Sequence, residues 1–143
     1  MEYVEGGDLK SFIHHKKLKN EKIDEKIIWK FSHQIFDALN FMHKKNIIHR
    51  DIKPQNLFIT KNMVIKIGDF GVSKLIISNE KIMTRVGTPL YLAPELVQNK
   101  NYSFNVDVWS VGCVLYLLAM MKAPFKSKNL ISLGHQIVNK NHQ

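Results

Sequence analysis

The sequence contains little cysteine and no long apolar run. Cys113 is the only cysteine among its 143 residues, so no intrachain disulfide can form, and a reducing, cytoplasmic setting is expected. The longest apolar stretch, residues 111–121, is too short to cross a bilayer, and no signal-peptide pattern opens the chain. These absences predict a soluble protein with no membrane span and no disulfide framework.

Arginine is also scarce, and the positive charge is spread rather than clustered. The formal net charge is +9, but the 21 basic residues are nearly all lysines along the whole length, and the two arginines are Arg50 and Arg85. Nucleic-acid surfaces usually concentrate basic residues and aromatic side chains in one patch. The pattern therefore favours a solvated lysine-rich surface, and neither nucleic acid nor membrane is predicted as a partner.

One stretch in the middle of the chain carries the residues that suggest chemistry. Two short apolar runs, residues 57–59 and 63–67, flank a polar turn, which predicts an antiparallel hairpin. Because a hairpin brings its outer ends together, Asn56 just before it and Asp69 just after it are expected to be neighbours. Their oxygen atoms are ligands that Mg²⁺ prefers. Asp51, shortly before Asn56, is placed to orient a hydroxyl and to accept its proton.

The flanking segments predict helices that support this stretch. Residues 23–46 place apolar side chains at helical spacing, with Asp24 as a good N-cap. Residues 105–121 are apolar nearly all round, as in a helix at the centre of a domain, and a further short helix is predicted near the end. His33 and His43 lack partners for a metal site, so both are expected to be solvated or to lie near a helix end.

Several motifs occur in an order that resembles the eukaryotic protein kinases. They are His49-Arg50-Asp51, Asn56, Asp69-Phe70-Gly71 and Ala93-Pro94-Glu95. Lys53, two residues after Asp51, matches the serine/threonine form of the family. The stretches IKPQNLFITKN, IGDFGVSK, VGTPLYLAPEL, DVWSVGCVLY and NLISLGHQIVNK are similar to NIMA-related kinases.

This resemblance implies a fold and an activity. The implied fold is α+β and mainly α, a kinase carboxy-terminal lobe with a short antiparallel hairpin, and residues 1–143 would form a partial kinase domain. The implied activity is transfer of the γ-phosphate of ATP, with Mg²⁺, to serine or threonine hydroxyls of protein substrates. The implied location is cytoplasmic, with association to the cytoskeleton or cilium.

The resemblance also assigns residues to the reaction. Asp51 and Lys53 would be catalytic, and Asn56 and Asp69 would hold the metal. The implied nucleotide-binding residues are Glu2, Val4, Asp8, Asn56, Phe58 and Asp69. Asp8 is equally suited to cap the helix that follows it, and the two roles are compatible.

A phosphorylation switch is implied as well. Arg50, beside the catalytic aspartate, and Lys74 would pair with a phosphate on Thr84, added by an activating kinase or by the kinase itself. Asp107 would brace the catalytic loop through backbone amides, although a simple helix cap is the alternative reading. The residues with implied structural roles are His49, Phe70, Gly71, Thr88, Glu95, Asp107 and Trp109.

Parts of the family pattern are not found in the chain. There is no glycine-rich loop, no strand lysine and no partner glutamate, so the amino-terminal lobe is missing from this sequence. Two alternatives stay open: a piece of an active kinase, or a truncated and inactive lobe that binds partners or has no function. The arginine expected to pair with Glu95 is also absent, which predicts marginal stability.

Overall fold

The described part of the chain contains five helices and four short strands. This computed structural model describes residues 6–68, the backbone of residues 74–75, and residues 90–139. The helices are α1 (Leu9–Leu18), α2 (Glu25–Lys44), α3 (Pro94–Val97), α4 (Asn105–Met120) and α5 (Leu130–Asn139). The strands are β1 (Ile47–Ile48), β2 (Leu57–Ile59), β3 (Ile65–Ile67) and β4 (Lys74–Leu75), and a 3₁₀ turn covers Pro54–Asn56. The predicted mainly helical class with short antiparallel pairs is confirmed.

Two capping aspartates set the starts of the first two helices. Asp8 Oδ1 accepts a hydrogen bond from the backbone N–H of Ser11 at 2.7 Å, and Asp24 Oδ1 accepts one from Lys26 at 2.7 Å. Each bond satisfies a donor that the first turn of a helix leaves without an intrahelical partner. The predicted cap at Asp24 is therefore confirmed, and the capping role of Asp8 is present in the structure.

The core forms where α2 packs against α4. α2 is amphipathic, and its buried side chains include Phe31, Ile35 and Leu39. α4 is apolar on nearly all sides and contributes Val114 and Leu118 to the same cluster. Burial of side chains of this size stabilises the fold by about 1.5–3 kcal/mol each. Within the described ranges, none of the helices has the length and apolar character needed to cross a membrane.

The predicted hairpin is present and is fastened to α2. β2 and β3 pair in antiparallel register, with Leu57 opposite Ile67. Gln34 of α2 accepts a hydrogen bond from the backbone N–H of Ile65 at 2.5 Å and donates one to the carbonyl of Met63 at 3.4 Å. These contacts fix the hairpin, and with it the 3₁₀ turn before β2, on the core.

A second antiparallel pair lies next to the loop that follows β1. β4 pairs with β1, so that Lys74 stands opposite Ile48 in the backbone register. β1 leads directly into His49, Arg50 and Asp51. The backbone of Lys74 is therefore brought close to the stretch that the sequence predicted to be catalytic.

A smaller apolar cluster lies between α4 and α5. It contains Cys113, Phe125, Leu133 and Ile137, and the Trp109 ring stacks on Phe125 with the ring centroids 5.9 Å apart. Burial raises the pKa of the Cys113 thiol from 9.0 to about 12. The thiol is consequently held in its protonated, unreactive form.

Cys113 is expected to make the protein less stable in alkaline solution. The folded thiol keeps its proton up to about pH 12, whereas an unfolded thiol loses it near 9.0, so the stabilisation is complete below pH 9.0 and is lost between these values. The loss reaches about 1.4 kcal/mol per pH unit. We expect urea unfolding at pH 8 and pH 10.5 to show a smaller alkaline loss for Cys113→Ala than for the unsubstituted protein.

For each protein the comparison uses the difference in unfolding free energy between pH 8 and pH 10.5. The destabilisation caused by any cavity that alanine leaves is present at both pH values and therefore cancels. Lysine titrations are common to both proteins and cancel as well. Burial raises the pKa of Tyr91 to about 12 in both proteins, and only the smaller contribution of the Cys113 charge to this shift is absent from the alanine variant. Equal alkaline losses in the two proteins would show that the Cys113 thiol does not keep its proton in the folded state.

Candidate active site

The loop that follows β1 is anchored to α4 by a buried carboxylate. Asp107 is fully buried, and its Oδ2 accepts a hydrogen bond from the backbone N–H of His49 at 3.0 Å. Its Oδ1 accepts one from the backbone N–H of Arg50 at 2.8 Å. Buried N–H groups are costly when they have no acceptor. Asp107 thus stabilises the loop, and its oxygens face the loop rather than the first turn of α4.

The Arg50 backbone adopts a conformation that few residues other than glycine use. Its φ angle is 65°, in the left-handed region. The contact between its N–H and Asp107 holds this turn in place. Since the backbone reverses at Arg50, the next residue, Asp51, is directed away from the buried anchor and is partly exposed to solvent.

The His49 ring ties the same loop to the end of β3. Its Nδ1 accepts a hydrogen bond from the backbone N–H of Asp51 at 3.3 Å, and its Nε2 lies 3.1 Å from the carbonyl oxygen of Gly68. Because Nδ1 accepts, the hydrogen is on Nε2, which donates to Gly68. The ring is fully buried with both nitrogens engaged by backbone. His49 therefore has the geometry of a structural residue rather than of a general base.

Asp51, Lys53 and Asn56 form one hydrogen-bonded cluster. Lys53 Nζ donates to Asp51 Oδ2 at 2.7 Å, and Asn56 Nδ2 donates to the same oxygen at 2.9 Å and to the Asp51 carbonyl at 2.8 Å. The Asp51 and Lys53 side chains are 28% and 30% exposed, so a substrate can reach them. The second carboxylate oxygen, Asp51 Oδ1, receives no hydrogen bond from any described residue.

The orientation of the Asn56 side chain suits a magnesium ion. Both atoms facing its Nδ2 are acceptors on Asp51, so the amide cannot be reversed without bringing acceptors together. Its carbonyl oxygen Oδ1 therefore points away from Asp51 as a hard donor. Mg²⁺ bound to a nucleotide needs only one or two protein ligands of this kind. Asn56 fits that requirement, while Asp69 lies outside the described residues.

Asp8 and Phe58, two of the predicted nucleotide-binding residues, lie side by side. Asp8 forms an isolated antiparallel bridge with Phe58, and the neighbouring Gly7 carbonyl accepts a hydrogen bond from Ile59 at 2.9 Å. Gly68 packs on the Phe58 ring so closely that an added Cβ would stand 2.6 Å from it. The chain ahead of α1 thus runs along β2. Glu2 and Val4 lie outside the described residues.

Arg50 brings its side chain to the segment between α3 and α4. Its guanidinium Nη1 donates to the hydroxyl of Tyr102 at 3.0 Å, across 52 positions of sequence. The residues of the predicted switch and metal loop that lie outside the described part are Asp69, Phe70, Gly71, Thr84 and Thr88, together with the Lys74 side chain. Glu95 is half-buried in α3, and no described residue forms an ion pair with it.

His43 was predicted to lack partners for a metal site and to be solvated or near a helix end; it does lie near the end of α2, where its ring also meets a carboxylate that the sequence did not identify. It lies in the last turn of α2, and its Nε2 stands 2.8 Å from Asp107 Oδ2, 64 positions away. The ring stacks at a tilt on Phe104, with centroids 4.6 Å apart. The contact exists because α2 and α4 pack together. The sequence held one signal for this contact: His43 lies four positions after the buried Leu39, and this spacing places His43 beside the apolar face of α2.

The His43 contact is expected to stabilise the fold. His43→Phe keeps a ring against Phe104 but removes the donor, and we expect it to lower the free energy of unfolding by about 1.5–3 kcal/mol. His43→Gln retains an amide N–H near Asp107 and should lose clearly less. Urea unfolding of both variants measures the difference.

His33 offers a matched control on the same helix, because it is exposed and pairs with exposed Asp37. His33→Gln is expected to change the unfolding free energy by less than about 0.5 kcal/mol. Equal losses for the phenylalanine and glutamine variants at position 43 would show that the hydrogen bond to Asp107 contributes nothing.

Comparison with known proteins finds a family whose members resemble this chain. The family model described as "Protein kinase domain" matches residues 1–143. Serine/threonine-protein kinase Nek8 of Danio rerio is 45% identical over 97% of this chain and 20% of its own length. The probable serine/threonine-protein kinase nek2 of Dictyostelium discoideum is 43% identical over 96% of this chain and 34% of its own length.

A third relative is also a Nek protein. Serine/threonine-protein kinase Nek4 of Mus musculus is 39% identical over 96% of this chain and 17% of its own length. The chain thus spans about a third or less of the length of these relatives. The predicted resemblance to NIMA-related kinases is confirmed by these Nek proteins, and the chain belongs to the protein kinase family.

Proposed function

We propose that residues 1–143 form part of the catalytic domain of a serine/threonine protein kinase that uses ATP and Mg²⁺. The observation that carries this proposal is the cluster of Asp51, Lys53 and Asn56 at the solvent-facing end of an anchored loop. The names of the relatives, all serine/threonine-protein kinases, support the class of reaction.

In this proposal Asp51 acts on the substrate hydroxyl. Its Oδ2 is occupied by Lys53 and Asn56, which leaves Oδ1 to orient the serine or threonine hydroxyl and to accept its proton as the oxygen attacks the phosphorus. Two donors on one oxygen hold the carboxylate in a single orientation. A fixed orientation raises the rate of transfer, because the carboxylate and the substrate hydroxyl meet already aligned.

Lys53 and Asn56 act on the phosphates. The ammonium of Lys53 lies 2.7 Å from Asp51, so a phosphoryl group approaching that carboxylate comes within its reach. Asn56 Oδ1, and Asp69 as the second proposed ligand, would hold the metal. Bound Mg²⁺ supplies positive charge that offsets the charge of the phosphate oxygens. Asp8 and Phe58 are proposed to contact the nucleotide, with Glu2 and Val4.

Regulation, substrates and location complete the proposal. A phosphate on Thr84, added by an activating kinase or by the kinase itself, would pair with Arg50 and Lys74. Protein substrates and a cytoplasmic location with cytoskeletal or ciliary association rest on the resemblance to NIMA-related kinases. His49, Asp107 and Trp109 would be structural, as would Phe70, Gly71, Thr88 and Glu95.

The test measures phosphoryl transfer by the full-length kinase at varied free Mg²⁺. We expect ³²P from the γ-position of ATP to reach serine or threonine in a protein substrate and not tyrosine. Asn56→Ala is expected to raise the free Mg²⁺ needed for half-maximal transfer roughly tenfold or more, because a protein ligand of the metal is lost.

Asn62→Ala is the matched control, since Asn62 is an exposed hairpin residue that contributes only its backbone carbonyl to a hydrogen bond with Lys30. Its Mg²⁺ dependence should equal that of the unsubstituted kinase. An unchanged Mg²⁺ requirement in Asn56→Ala would remove Asn56 from the metal site, and transfer to tyrosine alone would overturn the proposed specificity.

A further inference from the structure

The outer edge of strand β3 has no neighbouring strand in the described part of the chain, because β2 and β3 form a sheet of two strands. The Gly68 N–H points towards β2, where it donates to the Asn56 carbonyl at 2.9 Å. In an antiparallel pair, alternate residues direct their N–H groups away from the partner strand. The N–H of Ile65, three positions before Gly68, therefore faces away from β2. Ile65 is only 8% exposed, so this N–H needs an acceptor from another element.

The side-chain amide of Gln34 takes the place of a neighbouring strand at this edge. Its Oε1 accepts a hydrogen bond from the Ile65 N–H at 2.5 Å, and its Nε2 donates to the Met63 carbonyl at 3.4 Å. Both polar groups of one amide are thus matched by backbone groups two positions apart. Gln34 is half-buried in α2, whose buried face contributes to the main core. One side chain therefore joins a firmly packed helix to the backbone of the hairpin.

The outer edge of β2 is held in a different way, by backbone. The Ile59 N–H donates to the Gly7 carbonyl at 2.9 Å, and Asp8 forms a bridge with Phe58. Such contacts do not depend on the identity of a side chain, whereas the contact at β3 depends on the amide of Gln34. The hairpin has three residue pairs, and a hairpin this short is marginal without support from other elements. Loss of the amide would therefore release one of its two supported edges.

Strand β3 connects the Gln34 contact to Asn56. Gly68 follows β3 directly, and its N–H holds the backbone carbonyl of Asn56, whose side chain donates to Asp51 at 2.9 Å. Ile65 and Gly68 are three residues apart, which is about 10 Å along a strand. A tilt of β3 at Ile65 therefore shifts the base of the hairpin where Asn56 lies. Small misplacements of groups in a reaction site cause large losses of rate.

We propose that Gln34 is a positioning residue that sets the place of the Asn56 side-chain oxygen through β3. This inference rests on the proposed function, which assigns Mg²⁺ to Asn56. Gln34 contacts neither metal nor substrate, and it acts through the backbone of the hairpin. Without the amide, Asn56 is still present but is no longer held at one position, so a higher concentration of Mg²⁺ is needed to occupy the site.

The test measures the free Mg²⁺ needed for half-maximal phosphoryl transfer by the full-length kinase carrying Gln34→Met. Methionine is an unbranched side chain of similar length, so it keeps the packing but removes both hydrogen bonds. We expect the Mg²⁺ requirement to rise about three- to tenfold, as the loss of such hydrogen bonds allows. In an Asn56→Ala background the same substitution should cause no further rise, because the ligand that it positions is already gone.

Two further variants identify the contact that matters. Gln34→Glu keeps an acceptor for the Ile65 N–H and loses the longer bond to Met63, so we expect its Mg²⁺ requirement to stay within about twofold of the unsubstituted value. Asn40→Leu is the matched control, because it removes an exposed amide from the same helix. Its Mg²⁺ requirement should equal that of the unsubstituted kinase.

Urea unfolding of the same samples separates positioning from stability. A less stable Gln34→Met protein with an unchanged Mg²⁺ requirement would overturn the inference, since Gln34 would then be merely structural. An equal rise with and without Asn56 would also overturn it, because Gln34 would then act on a different part of the site. A rise as large in Gln34→Glu as in Gln34→Met would show that the bond to Ile65 does not set the position.

The two proposals fail in different ways. If Asn56→Ala itself leaves the Mg²⁺ requirement unchanged, the metal role of Asn56 is rejected, and the role of Gln34 is rejected with it. If Asn56→Ala raises the requirement and Gln34→Met does not, only the role of Gln34 is rejected and the metal assignment stands.

Discussion

Replacing Asp51 by asparagine is expected to lower kcat of phosphoryl transfer by roughly 10²- to 10⁴-fold. The asparagine oxygen can still accept from Lys53 and Asn56, which now bond Asp51 Oδ2. Its amide nitrogen would then take the place of Oδ1, where a donor cannot accept the proton of a substrate hydroxyl. The fold is preserved because the cluster keeps its hydrogen bonds, so the loss is confined to the chemical step.

Steady-state kinetics of the full-length kinase measure this effect, and Asp24→Asn supplies the control. Asp24 caps α2, and asparagine caps helices about as well as aspartate. The control variant should therefore keep both its stability and its kcat. A kcat for Asp51→Asn within about tenfold of the unsubstituted value would remove Asp51 from the role of proton acceptor.

Replacing Asp107 by asparagine is expected to destabilise the protein by about 3 kcal/mol. Three donors converge on the buried carboxylate: the backbone N–H groups of His49 and Arg50, and the ring of His43. An amide has only one oxygen, so its nitrogen must face at least one of these donors. The mismatch is buried, and water cannot relieve it.

The loop that contains His49, Arg50 and Asp51 should move as a consequence, and kcat should fall together with stability. Urea unfolding and steady-state kinetics on the same preparation measure the two effects. Asp37→Asn is a suitable control, because Asp37 lies on the surface of α2 in an exposed pair with His33 and should change stability by less than about 0.5 kcal/mol. If Asp107→Asn were as stable as this control, the carboxylate would not anchor the loop.

Local sequence patterns predicted the elements that depend on nearby residues. The hairpin of β2 and β3 follows from two apolar runs around a polar turn, and the start of α2 follows from its cap at Asp24. α4 was predicted at residues 105–121 and occupies Asn105–Met120. In each case the determining contacts lie within a few positions, where spacing and capping chemistry are informative.

Local sequence patterns did not predict contacts between residues that are far apart in the sequence. His43 meets Asp107 across 64 positions because two helices pack together, and helical periodicity alone does not identify the partner. The Tyr102 contact with Arg50 was not predicted at all, since it depends on the path between α3 and α4. The left-handed backbone of Arg50 was missed as well, because arginine carries no local preference for it.

The role of Asp107 also depended on contacts between distant positions. Its position near the start of α4 was compatible with a helix cap as well as with a brace for the loop. The sequence motif could not separate them, because both roles need a carboxylate at that place. The three-dimensional path of the loop decides it, since the N–H groups of His49 and Arg50 point at the carboxylate.

The most direct measurement is single-turnover transfer from pre-bound MgATP in Asp51→Asn, made together with the nucleotide Kd of the same sample of full-length kinase. We expect the Kd to stay within about twofold of the unsubstituted value, while the transfer rate falls roughly 10²- to 10⁴-fold. That pattern would place Asp51 in the chemical step. Transfer at the unsubstituted rate would contradict the proposed catalytic role, and a comparable loss of nucleotide binding would show that Asp51 supports the fold of the site instead.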